Sequence, residues 1–134
     1  MKDEIIKFRE ALDKIDWSMM PIQFQKFPTG TCGDVSDILA EYLYSLGIQP
    51  IEYVCGIQGG ASHAWLEIDG KAIDVTADQF KGVSEKVLIQ PSTVWHSKYE
   101  IENRRKAGYL HFKGPAVADI MRVHGTIMEQ LKNA

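Results

Sequence analysis

The sequence predicts an α+β fold in which helices pack on a small antiparallel sheet. Two observations predict it. Asp69-Gly70 separates two alternating segments, Ser62 to Ile68 and Lys71 to Thr76, and reads as the two-residue turn of a hairpin. Upstream of it, Val35, Ile38, Leu39, Leu43 and Leu46 recur at helical spacing behind Gly30-Thr31-Cys32-Gly33-Asp34. A chain of 134 residues, 45% hydrophobic and 25% charged, suits one globular domain over residues 1–134.

The elements follow in order. Ile5, Ile6, Phe8, Leu12 and Ile15 mark an amphipathic helix over roughly residues 2–16. Pro21 and Pro28 bracket a non-helical stretch, Met19 to Gly30, read as a short strand or an extended loop. The next helix runs from near Cys32 to Leu46. Asp34 and Asp37 complement the dipole of its first turns, and Gly47 is a natural stop. Ile51 to Ile57 reads as a strand, Gln58 to Ala61 as a turn, and Val87 to Ile89 as a further strand. Pro91 to Gly114, rich in aromatics, gives no periodicity and is read as core, lid or groove rim. Pro115 opens a last helix carrying Val117, Ile120, Val123, Ile127 and Leu131.

The hairpin makes a geometric prediction. A two-residue loop at Asp69-Gly70 sets Ile68 opposite Lys71, Trp65 opposite Asp74 and His63 opposite Thr76. Alternation then puts His63, Trp65, Asp74 and Thr76 on one face, and the apolar Ala64, Leu66, Ile68, Ile73 and Val75 on the other. His63 and Asp74 become diagonal neighbours, with Cα atoms about 7–8 Å apart, within reach of an imidazole and a carboxylate.

Cys32 adds a thiol to that pair. At a helix start, the dipole and the free N–H groups favour a thiolate and can serve an oxyanion; Asp34, two residues on, opposes the thiolate. Thiol, imidazole and carboxylate are the set for nucleophilic acyl chemistry. The thiolate attacks, the imidazole takes and returns a proton, and the carboxylate fixes the imidazole's tautomer.

At these residues the chain resembles the transglutaminase-like branch of the papain-like cysteine protease superfamily. The resemblance rests on Gly30-Thr31-Cys32-Gly33-Asp34, His63-Ala64-Trp65 and Asp74-Val75-Thr76, and spans roughly residues 28–80. Many members of the family have a longer connection between the histidine and aspartate strands. They often carry a tryptophan shortly before the aspartate, where Ala72-Ile73 stands here. The resemblance implies a papain-like fold, with the Cys32 helix packed on the sheet. It also implies a catalytic triad of Cys32 as nucleophile, His63 as general base and acid, and Asp74 as orienter. Gln25 and Gln23 are its candidates for an oxyanion-hole amide. Trp65 packs beside the site or walls a substrate groove.

The expected activity is hydrolysis of an amide or peptide bond through a thioester, as in a cysteine peptidase or amidase. The alternatives are transamidation or deamidation of glutamine, and a non-catalytic binding module on the same fold. The expected partner is a peptide, protein or amide substrate, and no cofactor is implied. A net charge of −3 and a pI near 5.8 argue against nucleic acid or an anionic membrane. Arg104-Arg105-Lys106 reads as a solvated helix end. Two cysteines make no disulfide framework, and Cys55 reads as an inert strand residue. His96, His111 and His124 have no partner at ligand spacing; a zinc site from Cys32, His63 and Asp74 is chemically possible as a third reading, but no CxxC or HxxxH spacing supports it, and no metal is expected. Residues 1–15 are charged and amphipathic, without the apolar run of a signal, and the expected location is the cytoplasm.

Overall fold

The computed structural model describes Met1–Asn133. Among these residues there are three α-helices, α1 (Lys2–Asp13), α2 (Cys32–Ser45) and α3 (Ala116–Lys132). There are five strands, β1 (Glu52–Gln58), β2 (Ala61–Ile68), β3 (Lys71–Asp74), β4 (Leu88–Pro91) and β5 (Glu100–Lys106). The strands form one antiparallel sheet in the order β4-β3-β2-β1-β5. No helix among the described residues is long and apolar enough to cross a membrane.

The hairpin register is the one its turn requires. Leu66 pairs with Ile73, Glu67 with Ala72 and Ile68 with Lys71. Asp69 and Gly70 both have positive φ, 51° and 76°, the conformation of a type I′ loop. The β1–β2 connection uses the same device at Gly59-Gly60, so these glycines serve the turn.

Alternation gives the sheet two unlike faces. Leu66, Ile68 and Ile73, with Val75 just beyond β3, join the main core with Ile5, Phe8 and Leu12 of α1, Val35, Ile38, Leu39 and Leu43 of α2, and Ile120, Val123 and Ile127 of α3. α2 lies on β1 and β2, and α1 packs against α3. The other face holds a smaller cluster: Val54, Trp65, Ala72 and Tyr99, with Trp95 against it. Residues 92–99, between β4 and β5, form a strap over this second face.

Two segments differ from their sequence reading. Met19 to Gly30 contains no strand; it runs through short 3-10 turns at Trp17–Met19 and Ile22–Phe24, with Phe24 buried and Ile22 exposed. Arg104-Arg105-Lys106 ends strand β5 rather than a helix. Arg104 bridges Glu52 of β1 and Glu67 of β2 at 2.8 Å each, and Arg105 pairs with the buried Asp37 of α2 and stacks over Tyr53. Asp78, in the 3-10 turn Ala77–Gln79, receives a two-pronged bond from Arg9 of α1, at 2.7 and 2.8 Å. The same guanidinium donates to the carbonyl of Val75 at 2.7 Å. Arg9 thereby ties α1 to the segment that leaves β3 beside Asp74.

Candidate functional site

The helix that carries Cys32 starts without a side-chain cap. Gly30, with φ 73°, turns the chain into it. Thr31 sits at the N-cap position, but its hydroxyl donates to the carbonyl of Pro28 at 3.2 Å and makes no bond to the helix. The N–H groups of the first turn therefore keep their free donors. Cys32 is half-buried at this end. Its neighbour Gly33 lets the sheet come close: a Cβ there would stand 3.1 Å from the Tyr53 hydroxyl of β1. Burial, and then the neighbouring Asp37, push the Asp34 carboxyl up.

On the sheet's second face, His63 Nε2 lies 2.6 Å from Asp74 Oδ2. Both residues are fully buried. Asp74 Oδ1 accepts the backbone N–H of Thr76 at 3.0 Å, which fixes the carboxylate's rotation. Burial works against the Asp74 charge, but the hydrogen bonds from His63 and His96 outweigh it and hold the carboxyl down at about 2. Burial pulls His63 down; the hydrogen bond to Asp74, followed by the interaction with Cys32, pushes it up to about 9. With Nε2 committed to Asp74, Nδ1 is the nitrogen left for the thiol. It has no hydrogen-bond partner among the described residues, while the Cys32 thiol is near enough to push the imidazole up. Loose contacts of this kind are common in unliganded thiol sites.

The structure adds a residue that sequence spacing missed. His96, on the strap, places Nε2 at 2.7 Å from the same Asp74 oxygen. It is as buried as its partner. Around the two imidazoles stand Trp65, Phe80, Trp95 and Tyr99. Phe80 presents its edge to His63 at 4.9 Å between centroids, and Trp65 lies 4.6 Å from the His96 ring. Burial, and then the Asp74 charge, push the Tyr99 hydroxyl up to about 12, so it stays a neutral wall. No local signal could have found His96, because its contact spans 22 residues and an irregular strap.

The other candidates fall outside this cluster. Gln25 donates to the carbonyls of Met20 and Ser18, and Gln23 donates to Asp119 of α3 at 3.0 Å, so both amides are engaged away from His63. Trp65 is a packing residue; at 1% exposure it has no surface with which to wall a groove. Cys55, half-buried on β1, is pushed up by burial and then by Cys32 nearby, which keeps it a thiol. His124 faces the Tyr109 hydroxyl at 2.5 Å. A cleft of about 770 Å³, lined by Pro50, Glu52, Glu67, Asp69 and Arg105 among others, contains none of the three predicted residues.

His63, Asp74 and His96 also offer ligand atoms within 4.8 Å of one another, as a metal would need. Their spacing argues for hydrogen bonds instead. Two ligands on a tetrahedral zinc stand roughly 3.3 Å apart, whereas both imidazole nitrogens are within 2.7 Å of the carboxylate oxygen.

Comparison with family models, with curated proteins and with solved structures returned no match. The functional reading therefore rests on these residues and their geometry.

Proposed function

We propose that this chain is a thiol-dependent acyl-transfer enzyme acting on an amide or peptide bond, on a papain-like, transglutaminase-like fold. The observation that carries the reading is the buried contact of His63 Nε2 with Asp74 Oδ2 at 2.6 Å, with Nδ1 left without a partner and the Cys32 thiol near enough to raise the imidazole. In the proposed cycle the proton shared between Cys32 and His63 rests on Nδ1, as the raised imidazole favours, and the thiolate Sγ bonds to the carbonyl carbon. The uncapped N–H groups of the first turn of α2 receive the oxyanion. The carbon–nitrogen bond then breaks, and Nδ1 returns the proton to the departing amine. Water attacks the thioester, gives a proton to Nδ1, and Sγ leaves as the thiolate. Hydrolysis is the lead outcome; an amine in place of water gives transamidation.

The test is a screen of fluorogenic peptide amides, and of a glutamine peptide with a primary amine, against wild type and Cys32→Ala. The expected result is turnover of one class that vanishes in a folded Cys32→Ala protein. Full turnover in that variant would overturn the mechanism.

A further inference from the structure

Asp74 is served by more donors than a simple triad needs. One oxygen accepts the Thr76 N–H, and the other accepts both His63 Nε2 and His96 Nε2. A buried carboxylate without water depends on such donors to keep its charge. A donor that shares the oxygen with His63 also takes part of the charge His63 would otherwise receive.

We infer that His96 is a positioning residue for this site: through Nε2 it fixes the Asp74 carboxylate against His63 and limits the negative charge that Asp74 presents to the His63 ring. The inference rests on the proposed Cys32–His63–Asp74 reading. It also gives the strap a role, because the element that covers the second face of the sheet carries the residue that sets the carboxylate.

The geometry requires a particular tautomer. Nε2 must carry a proton on both rings, so that each donates to Asp74, while Nδ1 of each ring is buried without a partner among the described residues. The titratable and charged groups around the pair are few. Asp74 comes from β3, Cys32 from α2, and Tyr99 from the end of the strap. Lys98 stands outside the aromatic layer, with Nζ 3.9 Å from the Trp95 ring centre. None but His96 and Thr76 donates to Asp74 besides His63.

The experiment is histidine NMR on the intact protein. Long-range proton–nitrogen spectra of wild type should show Nε2–H on both His63 and His96. A neutral His96 protonated at Nδ1 in wild type would overturn the inference, and this readout does not depend on any variant folding. The second measurement is the His63 titration midpoint in His96→Phe and His96→Gln. Loss of the donor in His96→Phe should move the midpoint upward by roughly half a pH unit or more. His96→Gln, which keeps an N–H donor, should lie near wild type. A purely structural His96 would lower thermal stability in both variants and leave the His63 midpoint in place, which also overturns the inference. These readouts need no substrate. A failure of the catalytic reading, seen as turnover in Cys32→Ala, is thus distinct from a failure here.

Discussion

His63 and Asp74 meet at 2.6 Å across a hairpin whose register a two-residue turn dictates. The relationship is local: eleven residues separate the two, and the pairing needs only the turn and the alternation of side chains. The thiol joins from a separate helix, so its contact with His63 is the part of the site that depends on tertiary packing.

That contact is the first thing to measure. Cys32 and Cys55 are both free and half-buried, but only Cys32 faces an imidazole. Iodoacetamide should therefore label Cys32 faster than Cys55 near neutral pH, by roughly tenfold or more. Peptide mass spectrometry reads each site separately. The advantage should disappear in His63→Ala. Equal rates at the two thiols in wild type would mean that no imidazole activates Cys32.

A second prediction concerns acid stability. The Asp74 carboxyl is held at about 2 in the folded protein, against 3.8 as its ordinary value. Between these values the unfolded chain binds more protons, so stability falls as pH falls. The contribution is complete above about pH 4, and is lost as pH passes through 2. Its size is on the order of 2 kcal/mol. Asp34 and Asp37, both pushed up by burial, contribute with the opposite sign, so the comparison must be made against Asp74→Asn. Thermal melts from pH 6 to pH 2 should show a flatter acid slope for that variant. Parallel slopes would show that Asp74 is not held down in the folded state.

How much of this was legible depends on the range of each interaction. The Asp69-Gly70 turn, the helix at Cys32 and the two faces of the hairpin are written in short segments, and the structure follows them. His96 was not legible, because an irregular strap delivers it and no spacing rule applies. Arg104-Arg105-Lys106 misled for a related reason. Arg104 and Lys106 are exposed as a run of cations reads, but the run lies on β5 rather than at a helix end, and the partners Glu52, Glu67 and Asp37 come from three other elements. Gln23 and Gln25 are side-chain amides upstream of Cys32 that no motif fixes, and both are bonded elsewhere.

Arg9 is the clearest case of a long-range role hidden in an ordinary helix. It is buried, and donates to Asp13, Asp78 and the carbonyls of Val75 and Lys86. Removing it strands the Asp78 carboxylate and the Val75 carbonyl beside the exit of β3. Arg9→Ala should cost about 3 kcal/mol or more, read as a lower midpoint in urea unfolding. Arg9→Lys restores a charge but not the fork, and should recover only part of the loss. A variant as stable as wild type would show that the clasp contributes nothing net.

The strap lies against the sheet only because Gly56 has no side chain. Gly56 pairs with His63 on β2 and sits where β1 shifts register against β5. A Cβ at this position would stand 2.9 Å from Tyr99 Cβ and 2.9 Å from the carbonyl oxygen of Glu100. Neither atom is the tip of a flexible side chain, so the strap itself must move. Gly56→Ala should cost roughly 1–3 kcal/mol, as overpacking in tight sites does. It should also lift Trp95 and His96 from the second face. The direct readout is tryptophan emission, which should shift to longer wavelength, together with a His63 midpoint that moves upward as Asp74 loses its second imidazole. A Gly56→Ala protein with unchanged emission, stability and His63 midpoint would show that the strap is not seated through this contact.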